Sequence, residues 1–298
     1  MPEARLRRAV HFVPGGNDRM LTKSLTTEAD SLVLDLEDAV TFDRKEEARG
    51  LVAGWLKDVD FGRQERVVRV NALDTPFWRD DLAATMVTPP DAYMLPKVSS
   101  EAEVGMFSAE VTRLEQQHGH PAGGVRFIVL GTETPQSVFH LPELTRDERV
   151  DVLSWGAEDL GGAIGASRNR GEDGVFLDVF KFCRIQTLLC AVNGGVQPLD
   201  TVFVDFKNAE GFRRDCQEGV WMGFTGRLTI HPDQIPVVNE LFTPSAADAA
   251  EAQELLEAVE AARKEGRGAF QLHGKMVDAA HIGRAELTLA RARQAGVI

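Results

Sequence analysis

The chain has 298 residues, 43% of them hydrophobic, enough to bury the core of one large α/β domain or of two smaller ones. Its formal net charge of −13 argues against nucleic acid and anionic membranes as partners, and no apolar run approaches the length of a membrane span. The scattered Cys183, Cys190 and Cys216 lack metal-finger spacing and suit a reducing cytoplasm, and the apolar part of MPEARLRRAVHFVPGG is far too short for a secretory leader.

Strand-like and helix-like segments alternate. AVHFV (9–13) predicts a strand closed by Pro14-Gly15-Gly16-Asn17, followed by a helix with Asp18 as its cap and Met20, Leu21 and Leu25 on its inner face. SLVLDLEDAV (31–40) predicts a second strand ending in Glu37 and Asp38, and residues 43–57 an amphipathic helix with Ala48, Leu51, Val52, Trp55 and Leu56 on one side. RVVRVNA (66–72) and AYMLPKV (92–98) are the third and fourth strands; Ser99-Ser100 and Glu103 then resemble a capping box before a helix through Leu114. VRFIVL (125–130) breaks into Gly131-Thr132-Glu133-Thr134-Pro135, and DVLSW (151–155) into Gly156-Ala157-Glu158-Asp159. Such runs, joined by a helix-sized crossover, read as neighbouring parallel strands. Residues 161–174 read as a glycine-rich loop, and 175–193 as a helix stopped by Gly194-Gly195. DTVFVD (200–205) and WMGF (221–224) complete eight strands.

Eight strands joined by helix-sized crossovers, in close to the roughly 250 residues of a (β/α)8 TIM barrel, favour that fold over an open doubly wound sheet. Residues 1–243 are then the barrel and 244–298 a C-terminal helical arm or lid, built from an alanine-rich helix (244–266), a short hairpin (266–278) that delivers Asp278 at its bend, and a last helix. In a barrel the residues just past the strands ring one mouth: Glu37 and Asp38, Arg69 and Asn71, Lys97, Glu133, Glu158 and Asp159, and Asp205. Neighbouring strands lie only about 4.8 Å apart, so Glu133 and Asp159 can meet at one hard cation, which favours Mg²⁺. Taken singly, either acid is equally a helix cap. Arg69 suits the bidentate grip of a substrate carboxylate, or alternatively a salt bridge to Glu37 or Asp38. Lys97 reads as structural rather than as a Schiff-base lysine, because this rim is acidic. Hydrolase-elbow, P-loop and Rossmann fingerprints are absent, and the PGGNDR turn alone is a weak anion site.

FVPGGNDRMLTK, LVLDLEDAV, VRVNALDTP, LPKV, ETPQSV, GAEDLGGAIG, GFTGRLTIHPDQI and GAFQLHGKMVD, in this order over nearly the whole chain, resemble the citrate lyase β-subunit-like family, which includes malyl-CoA and citramalyl-CoA lyases. The resemblance implies a barrel of the phosphoenolpyruvate/pyruvate type, Mg²⁺ dependence, coenzyme A as part of the substrate, and a homo-oligomer, trimer or hexamer. It implies Glu133 and Asp159 as metal ligands and Arg69 as the substrate contact. Phe12, Lys23 and, more weakly, Arg19 fall where the family handles coenzyme A, and Asp278 where CoA-using members reach a neighbouring subunit's site. The expected reaction is reversible carbon–carbon cleavage of a 3-hydroxy-3-carboxyacyl-CoA thioester to acetyl-CoA, or a homologue, and a 2-oxo acid. Arg69 and Asp278 are then catalytic, and the backbone of Gly156, Ala157 and Glu158 holds the carboxylate. Malate synthase or malyl-CoA thioesterase activity at the same site, and a citrate lyase β subunit working on an acyl-carrier thioester, are the alternatives.

Overall fold

The structure, a computed structural model, describes residues 5–264 and 269–298. Residues 1–4 of the basic N-terminal stretch lie outside the described residues. So do residues 265–268, where the sequence predicts the end of the alanine-rich helix and the start of the hairpin, Gly266 and Gly268 included. The chain divides into two compact units, Arg7–Asn239 and, with residues 5 and 6, Glu240–Ile298.

Side chains that alternate in and out build the first unit. β1 (Ala9–Pro14), β2 (Ser31–Asp35), β3 (Glu65–Arg69), β4 (Ala92–Leu95), β5 (Arg126–Gly131), β6 (Val150–Trp155), β7 (Gln197–Asp200) and β8 (Gly226–Thr229) pair in parallel in sequence order, and β8 closes onto β1. Val10, Val33, Val67, Met94, Ile128, Val152, Leu199 and Leu228 form one buried cluster, the filled interior of the barrel. Leu32, Leu34, Val68 and Tyr93, which alternate with them, are buried as well, because helices cover the outer face. The fold is a closed (β/α)8 barrel.

The covering helices are α1 (Asp18–Leu25), α2 (Lys45–Asp58), α3 (Trp78–Thr85), α4 (Glu101–His118), α5 (Pro135–Val138), α6 (Ala157–Ile164), α7 (Asp178–Gly194), α8 (Ala209–Met222) and α9 (Gln234–Phe242). Local chemistry sets their ends. Ser100 accepts from the Glu103 N–H and Glu103 from the Ser99 N–H, a reciprocal capping pair. Asn17, not the predicted Asp18, caps α1 by accepting from the Met20 N–H, which leaves Asp18 in the first turn with its carboxylate on the Trp55 indole. Gly195 ends α7 in the left-handed conformation, as the glycine pair predicts.

Several expectations needed correction. The second strand stops at Asp35 rather than Val40, and α6 takes the first residues of the predicted 161–174 loop. The seventh strand is QPLD, just before DTVFVD, so Asp200 occupies the strand end and Asp205 sits in an exposed turn. The eighth is GRLT. WMGF belongs to the end of α8 and its glycine cap, and Trp221 is 79% exposed. In both places the longer apolar run misled, because these four-residue strands are flanked by charge. Buried Arg184 and Arg227 bind Asp200, Arg227 and Arg170 bind Asp215, and the Trp155 indole donates to Asp200.

In the second unit α10 (Ala246–Lys264) packs on α11 (Ala279–Gln294) through Ala249, Ala252, Ala285, Leu289 and Ala292, with Leu255 and Leu256 against them. Between them β9 (Phe270–Leu272) and β10 (Lys275–Val277) form an antiparallel hairpin, followed directly by Asp278. Among the described residues no helix is long and apolar enough to cross a membrane.

All three cysteines are buried and free. Burial pushes the Cys183 and Cys216 thiols up to about 11 and raises Cys190 as well. Only roughly a thousandth of a thiol of that pKa is thiolate at pH 8, so the folded protein should resist iodoacetamide. Mass spectrometry should find all three labelled after denaturation, and rapid labelling of the native chain would contradict the buried placement.

Candidate active site

The mouth at the C-terminal ends of the strands opens into a cavity of about 520 Å³ whose lining includes Phe12, Lys23, Asp35, Asp38, Arg69, Glu133, Gly156, Ala157, Glu158 and Asp159. The structure therefore gathers most of the predicted site residues. Arg19 is exposed and is not among the lining residues. Asp278 belongs to the other compact unit, where its Oδ1 lies 2.8 Å from Nδ1 of His281.

Arg69 ends β3 directly across the ladder from Asp35, which ends β2. Register partners on adjacent strands point to the same face. Here the guanidinium Nε and Nη2 each donate at 2.7 Å to the two Asp35 oxygens. Asp35 also accepts from the Glu37 and Ala39 N–H groups, and so shapes the turn that presents Glu37 and Asp38. The remaining nitrogen, Nη1, lies 2.9 Å from Glu37 and 3.6 Å from Asp38, and the guanidinium carbon sits 4.8 Å from the centroid of the Phe12 ring. The alternative reading of Arg69, a salt bridge to Glu37 or Asp38, is present, while the Asp35 pair was missed. Its signal was the two-residue step from inward Val33 to Asp35.

Glu133 leaves β5 on a tight backbone. Thr132 before it is a non-glycine residue at φ +63°, and Thr134 after it caps α5 by accepting from the Ser137 N–H. The Glu133 carboxylate is buried and accepts from the Lys97 N–H at 2.5 Å. Lys97 itself has φ +54°. That turn also brings its Nζ to 2.5 Å from Glu37, 3.2 Å from Asp38 and 3.3 Å from Asp159. Asp159 stands in the first turn of α6, whose N-terminus is Gly156, with no side chain capping it.

The electrostatics follow from this crowding. Burial, then Asp159 and Glu37, push the Glu133 carboxyl up to about 8 against the Lys97 N–H and Arg69. Burial and Asp38 raise Glu37 against Arg69 and Lys97. Burial works against the Lys97 charge, but Glu37, Asp159 and Asp38 together outweigh it and raise its pKa. On the barrel wall His11, whose Nδ1 lies 3.0 Å from the Thr229 hydroxyl, is lowered to about 4 by burial.

Among the described residues no group of three or more His, Cys, Asp or Glu side chains is arranged to hold a metal by itself. Two carboxylates facing one open cavity remain, both hard oxygen donors. Burial first, and then the repulsion from Asp159, disfavour the Glu133 charge, and a divalent cation between the two carboxylates would offset both, with water or substrate oxygens as further ligands. The donor set fits such an ion. Sequence reading missed Thr201, Val202, Ile230, His231 and Pro232 on the cavity wall. Thr201 and Val202 follow the displaced seventh strand, and Ile230 to Pro232 the displaced eighth.

The HpcH/HpaI aldolase/citrate lyase family matches residues 8–232 of the chain. Citrate lyase subunit beta of Leuconostoc mesenteroides subsp. cremoris is 34% identical over 287 residues, 96% of this chain and 93% of that protein. A (3S)-malyl-CoA thioesterase of Cereibacter sphaeroides is 35% identical over 285 residues, 96% and 94% of the two chains. The crystal structure of protein CitE from Mycobacterium tuberculosis, in complex with magnesium, acetoacetate and coenzyme A, is 32% identical; it superposes with a TM-score of 0.79 over 98% of this chain and 100% of that one. The chain belongs to the HpcH/HpaI aldolase/citrate lyase family and is an enzyme of the lyase class.

Gly156 tests the site's construction. A Cβ there would stand 2.5 Å from Cγ and 2.9 Å from Oε1 of Glu133. Gly156→Ala should therefore fold, with a near-wild-type melting temperature, yet displace Glu133 and lower kcat/KM on the order of 10²-fold. Full activity in this variant would mean that the Glu133 position is not needed.

Proposed function

We propose that the chain is a Mg²⁺-dependent carbon–carbon lyase that reversibly cleaves a 3-hydroxy-3-carboxyacyl-CoA thioester of the malyl-CoA or citramalyl-CoA type into acetyl-CoA, or a homologue, and a 2-oxo acid. One observation carries this reading: Glu133 and Asp159 face one cavity beside a guanidinium fixed by Asp35, in a chain whose relatives include a magnesium- and coenzyme A-bound protein.

Held by Glu133 and Asp159, Mg²⁺ would supply Lewis-acid stabilisation of oxygen charge at the 2-oxo acid end of the substrate. As the carbon–carbon bond breaks, the hydroxyl proton leaves to water in the open cavity, the bond's electron pair moves onto the thioester as an enolate, and the hydroxyl carbon becomes the 2-oxo carbonyl. Arg69 stabilises that enolate. Its fork is already fixed by Asp35, so no reorganisation accompanies the charge. The N-terminus of α6 at Gly156, Ala157 and Glu158 holds the substrate carboxylate through its helix dipole. Lys23 and Phe12, both at the cavity wall, contact the coenzyme A portion, with Arg19 further out. Asp278 donates a proton to the α-carbon of the departing thioester and removes it in the condensation direction.

The thioester panel that tests this reading uses the purified chain, Mg²⁺ and mass-spectrometric detection of products. Cleavage of free CoA thioesters supports the lyase. Free malate from acetyl-CoA and glyoxylate, without accumulated malyl-CoA, would point to the synthase or thioesterase outcome that the Cereibacter relative's name suggests. Inertness toward free CoA thioesters, with turnover of an acyl-carrier thioester, would point to a citrate lyase β subunit. In the same assay chelator should inactivate the protein and Mg²⁺ restore it. Glu133→Ala and Asp159→Ala should each abolish turnover with the fold intact, and full activity in chelator would end the metal assignment.

Asp278 is proposed to act on the site of a neighbouring copy in a homo-oligomer. Asp278→Ala should be nearly inactive yet still bind Mg²⁺ and coenzyme A. Mixed with Asp159→Ala under subunit exchange, it should regain activity, because some sites pair an intact metal centre with an intact acid. Verified mixed oligomers that stay inactive would place Asp278 in its own chain's site.

A further inference from the structure

Lys97 touches the site from two directions. Its backbone N–H holds the Glu133 carboxylate, and its ammonium bridges Glu37 and Asp38 after β2 and Asp159 on α6. The left-handed backbone at φ +54° makes both contacts possible, because it turns the N–H toward β5 while the side chain crosses the mouth. The stem is neither buried nor free: the side chain is 30% exposed, and Asp159, its partner on α6, is 29% exposed. Glu37 and Asp38 form a second anchor for the ammonium, and Asp35 holds their turn.

We propose that the Lys97 ammonium is a tethered counter-cation that holds Asp159 in the metal-free protein and releases it when a divalent cation binds, so that Lys97 sets the affinity of the metal site by competition. The proposal rests on Glu133 and Asp159 being the metal ligands. The ammonium keeps Glu37 and Asp38 as partners after the exchange, so it is not stranded when Asp159 changes hands. A monovalent cation near the divalent one opposes binding, and the lost Lys97–Asp159 contact must be replaced, so both effects weaken the wild-type site. Lys97 is thus a positioning residue, and its charge rather than its shape carries the effect.

Isothermal titration with Mg²⁺ alone reads this directly. Lys97→Met keeps the aliphatic stem and should bind Mg²⁺ on the order of tenfold more tightly than wild type, the size expected for one lost charge-assisted contact. Lys97→Arg, which keeps the charge, should stay close to wild type. In metal-free protein Lys97→Met should melt lower, since Glu37, Asp38 and Asp159 lose their shared cation, and saturating Mg²⁺ should raise its Tm by more than it raises that of wild type. Lys97→Gln serves the same comparison if the methionine variant does not fold. Wild type that binds Mg²⁺ while the neutral variants bind it equally or more weakly would overturn the competition and leave the metal ligands standing. Wild type that binds no Mg²⁺ would overturn the metal site and the proposal together.

Discussion

A single buried carboxylate, Asp35, governs the mouth of this barrel. It receives both arms of the Arg69 fork and two backbone N–H groups of the turn that follows β2. A guanidinium inside a barrel of Val, Ile and Leu would be costly alone, and so would the carboxylate. Paired across neighbouring strands, they carry charge into the interior with fixed geometry. A chain of contacts runs from that pair to Glu133. Glu37 and Asp38 are aimed by the turn that Asp35 shapes, Lys97 is held by Glu37 and Asp38, and the Lys97 N–H holds Glu133. Lys45 braces the same turn from outside by donating to the Leu36 and Glu37 carbonyls. Losing one member of a buried pair typically costs about 3–5 kcal/mol, because the survivor is left uncompensated. Asp35 therefore supports fold and site together.

The far side of the barrel is built differently. β7 and β8 are four-residue strands with few large apolar side chains, and an arginine–carboxylate lattice stands behind them. Arg184 and Arg227 meet Asp200, Arg170 and Arg227 meet Asp215, and Phe176 lies under the Arg170 guanidinium at 3.5 Å. Arg227 is fully buried there, and the carboxylates beside it outweigh burial and raise its pKa. Charge paired with charge and backed by aromatic faces does the filling that aliphatic side chains do elsewhere.

This difference explains which parts of the protein the sequence revealed. Runs such as VRFIVL and DVLSW announce strands because both faces are covered, and the acids that follow them, Glu133 and Asp159, were legible as candidate metal ligands from their place alone. QPLD and GRLT carry no such run, whereas the neighbouring DTVFVD and WMGF do, although Val202 lines the mouth and Trp221 and Met222 end a helix. Asp35 was hidden for another reason. Its meaning lies in a cross-strand register that links residues 34 positions apart, and local pattern does not encode register between parallel strands. Lys97 read as a structural lysine at the rim, and its left-handed backbone shows how its N–H reaches Glu133 while its ammonium reaches Glu37, Asp38 and Asp159.

That backbone sets two goals of protein engineering against each other. Lys97 and Thr132 both occupy the conformation that favours glycine, at the ends of adjacent strands, and each costs on the order of 1 kcal/mol relative to a relaxed residue. Glycine at 132 would relieve that cost, whereas at 97 the relief is set against the loss of the ion pairs to Glu37, Asp38 and Asp159. At 132 glycine would slacken the chain entering Glu133. The rim of this barrel is thus a place where a hardier protein and a working one call for different residues.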